Sequence, residues 1–180
     1  MASQSASKLK EFLNSLKRIP KLFVFDVDFT LWPLHVDCYV TPPFKSNGCG
    51  GATDVYGKRA VLFPDVKDIL SDIRQCGIKM AAASSTTDPQ ASRELQKVLG
   101  IYDMFDFSEI YPKRKTNHFE KLKQKSKVEY EDMIFFDDES WNISTVSPLG
   151  VTCVHITDNV RGLDWETLKT GLKEFANGSS

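Results

Sequence analysis

Residues 21–30 read KLFVFDVDFT, an apolar run from Leu22 to Phe25 that stops at Asp26 and carries a second acid at Asp28. A short run that is apolar at every position, not at alternate ones, is the pattern of a strand buried on both faces, as in a parallel sheet covered by helices. Side chains two apart on an extended chain share a face, so Asp26 and Asp28 can address one site while Val27 cannot. In open α/β sheets ligands bind beyond the carboxyl ends of the strands, which is where both acids fall.

Four further runs of the same kind follow: MAAASS at 80–85, FSEIY at 107–111, DMIFFDD at 132–138 and GVTCVHI at 150–156. Helical patterns lie between them. Val66, Ile69, Leu70 and Ile73 recur at helical spacing before Gly77; Asp88 and Pro89 supply an N-cap and first turn for Leu95, Val98 and Leu99, closed by Gly100. Two more helices are predicted over 116–126 and 164–176. Alternating strand and helix predicts an α/β fold, a doubly wound and mostly parallel Rossmann-like sheet with right-handed crossovers.

Leu9, Phe12, Leu13 and Leu16 predict an amphipathic leader helix within residues 1–19, with 1–7 frayed, and 177–180 are expected to form a tail. Residues 31–60 hold Pro33, Pro42, Pro43, Gly48, Gly50, Gly51 and Gly57 and no sustained helical period. They predict a flap on a single domain spanning 20–176, with no separate cap domain.

The 180 residues are 41% hydrophobic and 26% charged, and Lys plus Arg number 23 against 24 Asp plus Glu. Such balance gives no field to draw the chain to nucleic acid or an anionic membrane, and no run approaches the about 18 apolar residues of a membrane span. Cys38, Cys49, Cys76 and Cys153 form no CxxC pair, which fits reduced thiols and a cytoplasmic protein. His35, Cys38 and Cys49 are too irregularly spaced to predict zinc.

The residues that end the predicted strands are chemically coherent. Asp26, Asp28 and Thr30 follow the first, Ser84 ends the second, Lys115 lies beyond the third, and Asp137 and Asp138 end the fourth. Mg²⁺ takes one or two carboxylates plus substrate oxygens, while a hydroxyl and a lysine can take the remaining phosphoryl oxygens. Trp32, in the flap, is a candidate wall of the substrate pocket.

These residues, in this order, resemble the four motifs of haloacid dehalogenase-like hydrolases. FDVDFTLWP, AAAS, EIYP with a lysine three positions after the proline, and FFDDE followed by LGVTC are similar to the magnesium-dependent phosphatase branch, over roughly 20–175. The resemblance implies Asp26 as a nucleophile that becomes an aspartyl-phosphate and binds Mg²⁺. It implies Asp28 as general acid then base, with its carbonyl on the metal. Ser84 and Lys115 are implied to hold phosphate, Asp137 to bind the metal and Asp138 to support it. Dehalogenase relatives lack the acid at the position of Asp28, so its presence implies phosphoryl chemistry.

A Mg²⁺-dependent phosphomonoester hydrolase is therefore expected, acting on phosphotyrosine or on a phosphorylated sugar or phosphorylated glycated amine. A phosphotransferase or mutase on the same scaffold is the alternative enzyme, but it needs a lid to exclude water. A non-catalytic binder of phosphorylated ligands is the alternative outside catalysis, and the intact motifs count against it.

Where relatives carry an arginine after the second-motif serine, this chain has Ser85. A guanidinium fork holds two phosphate oxygens; a hydroxyl does not. Ser85→Arg is expected to lower KM for a small phosphomonoester several-fold and to change kcat less, in steady-state assays at saturating Mg²⁺. A KM unchanged or raised would mean that position 85 does not face phosphate.

Overall fold

The computed structural model describes residues 2–178, with side chains described from Lys8 onward. In chain order its main elements are α1 (Ala2–Asn14), β1 (Leu22–Phe25), α2 (Val36–Tyr39), β2 (Lys45–Ser46), β3 (Ala52–Thr53) and β4 (Arg59–Ala60). They continue with α3 (Val66–Gln75), β5 (Lys79–Ser84), α4 (Pro89–Val98), β6 (Phe107–Ile110) and α5 (Lys115–Ser126), then β7 (Met133–Asp137), α6 (Ser140–Val146), β8 (Thr152–His155) and α7 (Trp165–Asn177).

Five strands form one sheet in the order β6-β5-β1-β7-β8, and every pairing in it is parallel. The chain leaves β1, builds outward through β5 and β6, then returns to the other side of β1 for β7 and β8. That reversal opens a crevice at the carboxyl end of β1, the position where doubly wound sheets bind ligands.

Period-two alternation divides the strand residues between two cores. Phe23, Phe25, Met80, Ala82, Ile134, Phe136 and Val154 face one side, under α1, α3, α4 and α7. Leu22, Val24, Ala81, Ala83, Met133 and Phe135 face the other, with Phe119 and Leu122 of α5 and Val146 of α6. A sheet buried on both faces explains why its strands read as continuous apolar runs.

The helices begin and end for local reasons. The Asp88 carboxylate accepts the Ala91 N–H and Pro89 takes the first position of α4; Asp164 caps α7 by accepting from Thr167 N–H. Gly77, at φ +74°, ends α3 in the left-handed conformation that glycine adopts without a Cβ penalty. α1 begins at Ala2, ahead of its apolar stripe, so it takes in polar residues for which composition suggested fraying. α7 likewise runs on to Asn177. Gly178 is the C-cap of α7, and Met1, Ser179 and Ser180 lie outside the described residues.

Residues 31–60 contain α2 and a three-stranded antiparallel sheet, β2-β3-β4. Leu34, Val36, Val40, Phe44, Ala52 and Ala60 from this segment are buried in the same cluster as the central sheet. Asp54 accepts backbone N–H groups from Thr41, Tyr56 and Lys58, which closes the tip. The Glu94 carboxylate of α4 accepts the Phe44 N–H at 2.7 Å and fastens the segment to the body of the fold.

Gly171 sits inside α7 where an alanine would favour the helix by about 1 kcal/mol. A Cβ there would lie 2.6 Å from Val154 Cγ2 and 3.2 Å from the Phe136 ring, so the glycine lets α7 lie close on β7 and β8. Overpacking a rigid β-branched neighbour costs about 1–3 kcal/mol and exceeds the propensity gain. Gly171→Ala should therefore lower Tm by a few degrees in thermal unfolding, whereas a stabilised variant would show that α7 can shift away.

Candidate active site

The register of the central strands brings the acids together. Phe25 pairs with Phe136, so the next residues, Asp26 and Asp137, stand side by side at the strand ends. The Asp26 N–H donates to the Phe136 carbonyl at 2.9 Å, which extends the ladder to the acid itself. Asp26 and Asp137 continue the alternation of Leu22, Val24, Met133 and Phe135, the side covered by α5.

Lys115 is the first residue of α5, and only 1% of it is exposed. Its ammonium donates to the Asp26 carboxylate and to the Ala83 carbonyl, and lies 3.4 Å from Asp137 Oδ2. Burial works against its charge, but the two carboxylates outweigh burial and hold its pKa above the ordinary value. Its neighbours Lys113 and Arg114 are exposed.

Asp137 is fully buried and each of its oxygens is engaged. Oδ1 accepts the Glu139 N–H at 2.8 Å and Oδ2 accepts the Asn142 amide at 3.0 Å. Burial and then the charge of Asp26 push its pKa well up, against the pull of Lys115. Asp138 is pushed up to about 6 by the same two causes. It does not cap α6: the N-cap position is Glu139, which makes no capping side-chain bond.

One carboxylate oxygen each from Asp26, Asp137 and Asp138 lies within 4.8 Å of the others. The set consists of hard oxygens, and the values of Asp137 and Asp138 are raised first by burial and then by the charge of Asp26 beside them. Both features suit a divalent cation such as Mg²⁺.

Asp28 is held by the segment that follows it. Its Oδ1 accepts the Trp32 indole N–H at 2.7 Å, its Oδ2 accepts the Val36 N–H at 3.2 Å, and His35 Nδ1 lies 3.7 Å from Oδ2. Burial and the charge of Asp26 raise its pKa, opposed by those two donors. Thr30 is buried, with its hydroxyl 3.4 Å from Asp26 Oδ2, so it braces the strand-end turn.

Trp32 is a correction to the expectation of a pocket wall. It is fully buried in the main core and makes no part of the cleft lining, because its ring points inward while its N–H reaches back to Asp28. His35 lines the cleft in its place.

Ser84 is 2% exposed and its Oγ accepts the Thr86 N–H at 3.3 Å. Ser85 lies on the cleft wall, where its hydroxyl donates to the Lys113 carbonyl at 2.8 Å and ties the second-motif loop to the third. Asp26, Asp28, Ser84, Ser85, Lys115 and Asp138 share one open cleft of about 210 Å³.

Asp37, Thr86, Glu139 and Asn142 also line it, and sequence reasoning missed all four. Thr86 and Glu139 adjoin residues already singled out. Asn142 is one helical turn beyond the second acid pair, a signal that was present in the sequence. Asp37 had none: its carboxylate accepts the N–H and hydroxyl of Thr87, fifty positions away. The Thr87 hydroxyl, chiefly, lowers its pKa to about 2 and keeps it ionised.

His118 supports the loop that carries Lys115. Its Nε2–H donates to the Tyr111 carbonyl at 3.0 Å and its ring packs edge-on to Tyr111. Burial, and then the Lys115 charge, lower its pKa to about 4, so it stays neutral.

Asn142 holds one oxygen of Asp137, one of the three acids that could hold a cation, so its loss is expected to weaken Mg²⁺ dependence. Asn142→Ala is expected to raise the Mg²⁺ concentration for half-maximal activity about tenfold, at the low end for outer partners of metal ligands. An unchanged Mg²⁺ titration would detach Asn142 from the metal site.

A model of the acid phosphatase family matches residues 18–178. The chain is 42% identical over 165 residues to a human protein named magnesium-dependent phosphatase 1, covering 92% of each. It is 35% identical over 144 residues to a HAD-like hydrolase superfamily protein of Schizosaccharomyces pombe, covering 74% of this chain and 83% of that one. Among solved structures, the N-terminal part of a Bacteroides fragilis protein, containing a phosphatase domain complexed with Mg, superposes with a TM-score of 0.65 at 16% identity. That match covers 91% of this chain and 42% of the other. With strand order, motif positions and the family match in agreement, the chain belongs to the acid phosphatase family of haloacid dehalogenase-like hydrolases.

Proposed function

We propose that this protein is a Mg²⁺-dependent phosphomonoester hydrolase in which Asp26 is the nucleophile and Asp28 carries the proton. The observation that supports this best is the convergence of Asp26, Asp28, Lys115 and Asp137 at the carboxyl ends of adjacent strands. Asp26, Asp137 and Asp138, together with the Asp28 carbonyl, would hold Mg²⁺. When bound it would neutralise phosphoryl charge that otherwise repels the attacking carboxylate.

In the first half-reaction an Asp26 oxygen forms a bond to phosphorus as the bond to the leaving oxygen breaks, and Asp28 gives that oxygen its proton. In the second, Asp28 takes a proton from water, the water oxygen bonds to phosphorus, and the Asp26–phosphorus bond breaks to release inorganic phosphate. Two displacements by a held carboxylate replace one difficult attack by water. Burial and the neighbouring charge of Asp26 favour the protonated form of Asp28 needed at the outset. Lys115 and Ser84 are assigned to the transferring phosphoryl group, beside the nucleophile and at the end of the adjacent strand respectively.

Substrates are phosphorylated small molecules or phosphopeptides, with phosphotyrosine, phosphorylated sugars and phosphorylated glycated amines the classes that the branch resemblance suggests. Hydrolysis is favoured over transfer to another acceptor because the 31–60 segment is built into the core and fastened by Glu94 and Thr87, leaving the cleft open to water. A non-catalytic binder would not require the nucleophile and acid together. All four cysteines are free, and among the described residues no helix is long and apolar enough to cross a membrane; a cytoplasmic setting fits the thiols.

Asp26→Asn should reduce phosphate release by more than about 1,000-fold while keeping the fold, because an amide is a poor nucleophile. BeF₃⁻ with Mg²⁺ should inhibit the native protein by occupying the place of an aspartyl-phosphate. Native-like turnover in the Asn variant would rule the mechanism out.

A further inference from the structure

We propose that Trp32 is the positioning residue for proton transfer by Asp28, acting through its indole N–H and not as part of the substrate pocket. The proposal rests on the assignment of Asp28 as general acid given above.

An indole N–H and a backbone N–H are both donors only, so each Asp28 oxygen accepts one bond, but the 2.7 Å bond from Trp32 fixes Oδ1 far more firmly than the 3.2 Å bond from Val36 fixes Oδ2. The proton is assigned to Oδ2, the less firmly held oxygen. That oxygen receives one longer bond, from the Val36 N–H at 3.2 Å, which leaves it a direction in which to present O–H. The carboxyl group would otherwise rotate and exchange its two oxygens, and delivery to a leaving oxygen requires one of them in a fixed place.

The donor is itself immobile. The Trp32 ring is fully buried, and tryptophan has few torsions to reorient in a packed core. Its approach to Asp28 is set by the turn between them. Phe29 takes the left-handed conformation at φ +55°, which a non-glycine residue adopts only at a cost. The Phe29 N–H closes on the Trp32 carbonyl at 2.8 Å, and the Leu31 N–H on the Val27 carbonyl at the same length. A bridge pairs Asp28 with Trp32. A tryptophan kept only to fill the core would not need a strained turn that aims its single polar atom at a catalytic acid.

In the first half-reaction Oδ2–H gives its proton to the leaving oxygen as the P–O bond breaks; Trp32 exchanges nothing and keeps Oδ1 as acceptor throughout. The consequence is a dependence on the leaving group. A poor leaving group needs the proton in the transition state, whereas a good one departs without it.

The test measures kcat/KM, which reports the steps up to release of the first product, for a series from phenyl phosphate to 2,4-dinitrophenyl phosphate. It compares the native protein, Trp32→Phe, and a chain with β-(3-benzothienyl)alanine at position 32, an isostere with sulfur in place of the N–H. The isostere keeps the packing and carries the test if Trp32→Phe unfolds. Loss of the N–H should lower kcat/KM for phenyl phosphate by about tenfold or more, a fraction of the full effect of a general acid, and for the dinitrophenyl ester by less than about threefold. Equal loss across the series, or no loss, would overturn the proposal. Asp28→Asn in parallel separates the two layers: a flat series there removes Asp28 as the acid, while a steep series there with a flat one for the isostere removes only the role of Trp32.

Discussion

A buried lysine between two buried carboxylates organises this molecule. Lys115 can keep its charge out of water only because Asp26 and Asp137 flank it, and those acids can be buried together only because Lys115 lies between them. Desolvating any one of the three alone would cost several kcal/mol, so each requires the others. The requirement extends into the scaffold. The β1–β7 register must set the acids side by side, α5 must begin at Lys115, and Tyr111 and His118 must hold the loop that leads to it.

The lysine does not balance the acids completely. Asp28, Asp137 and Asp138 all have raised pKa values, and for each the charge of Asp26 is a cause second only to burial. A cluster with surplus negative charge is a poor solution for stability and a good one for holding a cation, which is the trade expected where strain is kept for function. The same surplus explains why the surrounding bonds to these acids come from donors: backbone N–H of Val36 and Glu139, the Asn142 amide and the Trp32 indole.

Sequence carried the sheet and its motif residues because both depend on short-range pattern. Apolar runs marked five parallel strands, and the polar residues at their ends marked the cleft, since in this architecture the end of a strand and the mouth of the site are the same place. What it did not carry came from long-range packing. Trp32 read as a candidate wall of the substrate pocket, and only the fold shows that its ring is buried in the core. Asp37 is joined to Thr87 across fifty positions, and nothing local to either residue announces the other. The small antiparallel sheet in 31–60 uses strands of two residues, too short for any alternation to register.

The sheet order also constrains how the chain reaches this state. Leu22 in the central strand pairs with Lys79 on one side and Met133 on the other, so the first strand made is enclosed only after more than a hundred further residues have been added. Contacts this distant in sequence must meet the entropy of closing long loops before they return any stabilisation, which slows folding. During synthesis, then, LFVF waits as an apolar segment with both edges open until β5 has emerged and one edge open until β7 has, and neighbouring chains compete for the open edge. The two acids directly after it add charge at one end of that segment, and charge there opposes stacking with a second copy. The residues assigned to catalysis in the finished enzyme would thus also guard the unfinished chain against aggregation.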